Sequence, residues 1–174
     1  MRRALDATYA AAGWAAALCI LGIAAIVSAQ VALNATARLL GPQATATIPS
    51  YADFSGFALA AATFLALAPT LRAGVHIRVH LMIRRLGPRA ARALELPTLL
   101  LAAAVAGYAT WYAGVTMWES WRYGDTSPGM VPVPLWIPQV FMVAGLGLLC
   151  VALIDTFIES LSSDGPVVSD AGDM

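Results

Sequence analysis

His76 and His80 are the chain's two histidines, and they stand four residues apart. On a helix that spacing puts both imidazoles on one face, where a metal binds if a third ligand completes the set. No Glu and no Cys lies between or beside them. Haem held in a helix bundle would need histidines on facing helices at mid-membrane depth, and the sequence has none there. Hydrogen bonding at an interface is the expected role of the pair, and no metal or other cofactor is expected. Cys19 and Cys150 each fall in an apolar run without a Cys-x-x-Cys pattern, which reads as two inert thiols. Asp53 and Asp155 sit at the edges of apolar runs. Glu159 follows Asp155 by one turn, so the two are expected to pair with Arg residues of the 72–95 connection. Gln30, Thr63 and Thr110 are among the polar residues inside the runs. They form neither a proton relay nor an ion cage. No Ser-His-Asp set, Walker loop or metal triad is present, so an enzyme is not expected.

The elements that carry these residues are set by composition. Of 174 residues 60% are hydrophobic and 11% are charged, against about 25% charged in an average soluble domain. Lipid is the solvent that suits such a chain. Four charge-free apolar stretches, at about 10–33, 54–71, 96–118 and 135–154, are each 18 to 24 residues long. About 20 residues cross the ~30 Å hydrocarbon core as a helix. Helices satisfy their own backbone polar groups, which lipid does not do. Tyr9 and Trp14, Tyr51 and Phe54, Trp118, Trp121 and Tyr123, and Trp136 mark the ends of these stretches, where amphipathic rings favour the membrane interface. The expected fold is an all-α membrane protein with one four-span domain over residues 1–160 and a polar tail, expected to be disordered, over 161–174. Small residues four apart, Gly13 with Ala17 and Ala103 with Gly107, suit close helix packing against another subunit.

All ten basic residues are Arg, balanced by ten acidic ones; no nucleic-acid partner is expected. Arg2, Arg3 and the six Arg residues between spans two and three lie on one side. Arg38 and Arg122 lie on the other. The positive-inside rule makes the Arg-rich side, and with it both termini, cytoplasmic. A bacterial inner membrane is the expected location. Arg2-Arg3, the first apolar run and Val27-Ser28-Ala29 also resemble a cleavable leader, but the run exceeds the usual span of about 7–15 residues. Between spans two and three, Arg78 and Arg85 share a helical face, Arg84 lies beside Arg85, and Ile77, Leu81, Met82 and Ile83 point elsewhere. This predicts a short basic amphipathic helix lying in the membrane plane, ended by Gly87-Pro88. A second short helix can start at Pro88. Arg78, Arg84, Arg85, Arg89 and Arg92 are the expected contacts to lipid head groups, at about 1 kcal/mol each; the same residues also set topology. The loops at 34–52 and 119–134 carry the turn signals Gly41-Pro42, Ile48-Pro49, Pro128-Gly129, Pro132 and Pro134.

Three stretches carry a resemblance: Arg72-Ala73-Gly74-Val75-His76-Ile77-Arg78-Val79, then Asp125-Thr126-Ser127-Pro128-Gly129, then Pro134-Leu135-Trp136-Ile137-Pro138-Gln139. With four spans they resemble the small, DctQ-like membrane subunit of a TRAP (tripartite ATP-independent periplasmic) transporter. Val75 stands where many members have a second Gly, and His80 where many have an acidic residue. The resemblance implies a non-catalytic scaffold. Its partners would be a large multi-span permease subunit and a periplasmic substrate-binding protein, with uptake of an organic acid driven by sodium. It makes Arg72, Gly74, His76, Ile77, Arg78 and Val79 a cytoplasmic interface motif. Ser127, Gly129, Pro134, Trp136, Pro138 and Gln139 become candidate docking positions on the periplasmic side. The alternatives are the small subunit of a tripartite tricarboxylate transporter, which the 72–79 stretch disfavours, a membrane anchor of a haem or quinone oxidoreductase, and a lipid-modifying enzyme.

Overall fold

The structure, a computed structural model, describes residues 2–41, 47–73 and 88–162. The expected amphipathic helix of the 72–86 region lies outside the described residues, apart from Arg72 and Ala73. Among the described residues there are four helices: α1 (Arg2–Leu40), α2 (Tyr51–Arg72), α3 (Pro88–Tyr123) and α4 (Trp136–Ser162). Each is long and apolar enough to cross a membrane.

The helices outrun the apolar stretches that predict them. At 1.5 Å per residue the 39 residues of α1 measure about 58 Å, roughly twice the hydrocarbon core. α1 ends at Gly41, whose positive φ of 88° is the left-handed conformation that closes a helix; its N–H donates to the Ala37 carbonyl at 3.1 Å. The segment from Pro88 is not a separate short helix but the first two turns of α3. Residues 89–96 are strong helix formers without a breaker. Pro97 is accommodated inside the helix.

The extensive contacts run from α1 to α2, from α2 to α4 and from α4 to α3. The molecule is two antiparallel hairpins, α1–α2 and α3–α4, joined by the parallel pair α2 and α4. The helices stand in a row, with α1 and α3 at its two edges. The start of α1, the end of α2, the start of α3 and the end of α4 lie at one end of the row, the terminal end. The α1–α2 and α3–α4 loops lie at the other, the loop end.

Lipid tails are as apolar as Leu, so helices associate in a membrane through close packing, which small side chains permit. Ala12, Ala16, Ala61, Ala62, Ala68, Ala106 and Ala152 are the buried alanines that line the seams. Gly13 lies 3.7 Å from the Pro69 ring on α2, measured from the site of a Cβ, and Gly107 lies 3.6 Å from the Cys150 sulfur on α4. Gly13, Ala103 and Gly107 therefore make contacts inside the chain, whereas Ala17 is exposed. The tightest seam is at Gly145 of α4, where a Cβ would run into the backbone carbonyl of Phe64 on α2.

Three threonine hydroxyls of the spans are satisfied within their own helices. The hydroxyls of Thr63, Thr110 and Thr156 donate to the carbonyls of Leu59, Ala106 and Ala152 at 2.8, 2.7 and 2.8 Å. A hydroxyl bonded back one turn makes no demand on lipid and offers nothing to a transported solute. Cys19 and Cys150 are both free thiols.

Candidate functional site

At the terminal end the described charges converge. Arg72, the last residue of α2, places its guanidinium 3.1 Å from the Glu159 carboxylate and 3.5 Å from that of Asp155, both on α4. Arg2 of α1 reaches the same Glu159 oxygen at 2.5 Å. Two cations and two anions thus tie three helices together. The Arg72, Asp155 and Glu159 side chains are about three-quarters buried, whereas Arg2 is 55% exposed. Asp155 and Glu159 fall on one face because they are one turn apart. Arg72 reaches them because α2 and α4 run parallel and finish together. One turn deeper, Tyr9 of α1 is wedged against Ala68 and Ala152 and is only 3% exposed. Its hydroxyl finds no hydrogen-bond partner among the described residues.

At the loop end the two connections are latched separately. Gln30, 4% exposed near the end of the first apolar stretch, accepts from the Ile48 N–H at 2.8 Å. Its amide nitrogen donates to Asn34 and Thr47, each at 3.0 Å. One side chain thereby fastens the α1–α2 loop to the helix that precedes it. Gln30→Leu keeps the volume but leaves the Ile48 N–H without its acceptor, at a cost of about 1–3 kcal/mol. Limited proteolysis is expected to cut the 41–50 loop of this variant faster, with the four-helix content unchanged by circular dichroism.

The α3–α4 loop closes on itself. Gly124, at φ 69°, ends α3. Thr126 and Pro134 form an antiparallel bridge, and the Ser127 N–H donates to the Val133 carbonyl at 2.9 Å. The Ser127 hydroxyl accepts from the Val133 N–H at 3.1 Å. The closed loop lies over the start of α2. There Ser50, held at φ 53°, accepts from the Val131 N–H at 2.9 Å. Gly129 lies so close to Asp53 that a Cβ would strike the carboxylate. Ser127 is buried, Pro134 bridges Thr126, and the Gln139 side-chain oxygen is buried without a hydrogen bond among the described residues. Met130 is 80% exposed, and Val131, Trp136 and Ile137 are exposed beside it. Ser127 and Gly129 shape the loop from within; Trp136 lies at its surface.

Between α3 and α4 the seam is closed near the terminal end, where Leu99, Ala106 and Leu153 pack together. Toward the loop end it opens into a groove of about 520 Å³. Gly107, Gly114 and Gly147 line its floor, and Trp111, Trp118 and Val151 its walls. Among the described residues no group of three or more His, Cys, Asp or Glu side chains is placed to hold a metal.

This frame of four apolar helices, with polar groups gathered at the two ends, matches one family model. The model describes the DctQ component of tripartite ATP-independent periplasmic transporters, and it covers residues 23–163. The chain belongs to the DctQ family. Comparison with curated proteins and with solved structures found no match. A DctQ chain is the small membrane subunit of a TRAP transporter, so this protein is a multi-pass membrane component of a tripartite system.

Of the DctQ-like stretch at 72–79, Arg72 is described and sits in the charge cluster; Gly74, His76, Ile77, Arg78 and Val79 lie outside the described residues, as do Arg84 and Arg85. Arg89 and Arg92 fall on the first turns of α3. Sequence reasoning anticipated that Asp155 and Glu159 would meet an Arg of the connection. It missed Arg2, because no local signal links the first helix to the last. It also missed Gln30 as a loop latch, although a lone amide deep in an apolar run is the signal that marks it.

Proposed function

We propose that this DctQ subunit is a non-catalytic scaffold. It holds the large permease subunit of its transporter in place while that subunit carries an organic acid, delivered by a periplasmic binding protein, at the expense of a sodium gradient. What carries the reading is the arrangement of fastenings: three helices locked by ion pairs at the terminal end, both loops latched at the other, and locally satisfied hydroxyls between. A body fastened at both ends is suited to staying still while a partner moves. The terminal end faces the cytoplasm of the bacterial inner membrane, and the loop end faces the periplasm. Arg78, Arg84, Arg85, Arg89 and Arg92 rest the 72–92 segment on lipid head groups, and the motif from Arg72 to Val79 forms the cytoplasmic interface. The loop end, with Ser127, Gly129, Pro134, Trp136, Pro138 and Gln139, forms the docking side for the binding protein. Trp136 and its exposed neighbours Met130 and Val131 make the surface contact.

The test is co-expression with the large permease subunit of its transporter, followed by affinity purification and uptake into vesicles under an imposed sodium gradient. A stable complex whose uptake needs both subunits is expected. A chain that stays a monodisperse monomer and never co-purifies would sink the proposal. Within the same assay, Arg84→Glu with Arg85→Glu is expected to lower the yield of complex while the substrate KM of the remaining complex stays unchanged. An altered KM at normal yield would contradict the scaffold role.

A further inference from the structure

The outer surface of α3 is unlike that of the other three helices. Its charge-free stretch, 96–118, has its midpoint at residue 107. Tyr108, Trp111 and Tyr112 therefore lie within about 8 Å of the membrane centre at 1.5 Å per residue, inside a hydrocarbon half-layer of about 15 Å. All three are turned outward, at 65%, 71% and 54% exposure. Tyr and Trp belong at the interface because their polar atoms need partners that hydrocarbon lacks. The Tyr108 and Tyr112 rings pack 4.6 Å apart. Each of their hydroxyls, and the Trp111 indole N–H, carries a donor proton that hydrocarbon cannot accept. At comparable depth the edge helix α1 exposes Leu18, Ile20 and Leu21, α2 exposes Leu59, and α4 exposes Val151. Those side chains ask nothing of lipid. The glycine-floored groove borders the same face and shares Trp111 with it. At Gly114 a Cβ would meet nothing within 4 Å, so another helix backbone has room to approach.

We infer that the α3 edge, centred on Tyr108, Trp111 and Tyr112, is the surface on which a transmembrane helix of the large permease subunit packs. The occupant is a helix with hydrogen-bond acceptors at mid-membrane depth, set opposite Tyr108, Trp111 and Tyr112, and with its backbone close to the groove. A lipid tail has no acceptor to offer there. The inference rests on the scaffold reading and adds to it the face that makes the contact.

A photo-activatable benzophenone amino acid placed in turn at positions 111, 112, 18 and 21, in the subunit co-expressed with the large permease subunit, tests it. Irradiation of membranes is expected to give an adduct with the permease, identified by mass spectrometry, from 111 and 112, and none above background from 18 and 21. Tyr112→Phe is expected to lower the yield of co-purified permease without lowering the melting temperature of the isolated subunit. An intact complex with adducts only from 18 or 21, or with only lipid or a second copy of this chain captured at 111 and 112, would overturn the assignment and leave the scaffold reading standing. No co-purifying permease at all would overturn both.

Discussion

Gly145→Leu is expected to abolish recovery of a monodisperse subunit, and Gly145→Ala to lower its melting temperature by several degrees. The reason is local. The parallel pair α2–α4 joins the two hairpins, and at Gly145 the seam has no space even for a methyl group, because the Phe64 backbone occupies it. A side-chain clash can be relieved by a rotamer change, whereas here the helix itself must shift. Overpacking of a well-fitted interior costs about 1–3 kcal/mol, and a displaced backbone puts this site at the upper end. The informative comparison is Gly22→Ala on α1, where a Cβ meets nothing within 4 Å. That variant is expected to gain about 0.5–1 kcal/mol, as Gly to Ala does in a helix interior. Thermal unfolding of both variants in the same detergent separates the two effects. Equal melting temperatures for Gly145→Ala and the parent chain would show that the seam is looser than described.

The second large effect is expected at Arg72. Arg72→Ala removes the guanidinium that faces both Asp155 and Glu159. Removing one member of a fully buried pair costs about 3–5 kcal/mol. With these side chains about a quarter exposed, about 2 kcal/mol is expected. Arg2→Ala, more than half exposed, is expected to cost less than about 1 kcal/mol. Arg72→Glu puts three carboxylates together and is expected to lose the folded subunit. Adding Glu159→Arg to it restores an Arg–Glu pair and is expected to recover part of the yield. A double-mutant cycle with Arg72→Ala and Glu159→Ala gives the coupling directly; a coupling near zero would reduce the cluster to coincidental proximity.

The spans were legible because a charge-free run of about 20 residues has one stable arrangement in lipid. Their ends were less so. α1 continues through Arg38, and α3 reaches back to Pro88, because helix propensity carries past the hydrocarbon edge where hydropathy falls silent. Within the site, Asp155 and Glu159 were readable as a one-turn pair. The Arg2 contact depends on how α1 leans against α4, which no local pattern encodes. Gly145 was invisible for the same reason. It is one of 14 glycines, and only the position of the Phe64 backbone sets it apart from Gly22. Ser127 and Gly129 stood out as loop residues. Their work inside the loop, against Val133 and Asp53, follows from a fold-back that the proline signals announce but do not detail.

A row of helices, unlike a closed ring, has an edge that accepts a neighbour without being opened. Every pairing within the row, α1–α2, α2–α4 and α4–α3, stays intact when another helix is laid beside α3. Joining a partner then costs this chain little reorganisation, the main saving that a preorganised surface brings to an association. On the proposed packing, the subunit's own pairings need not open when its partner arrives, and the transporter is extended by apposition, as a plank is added to a fence.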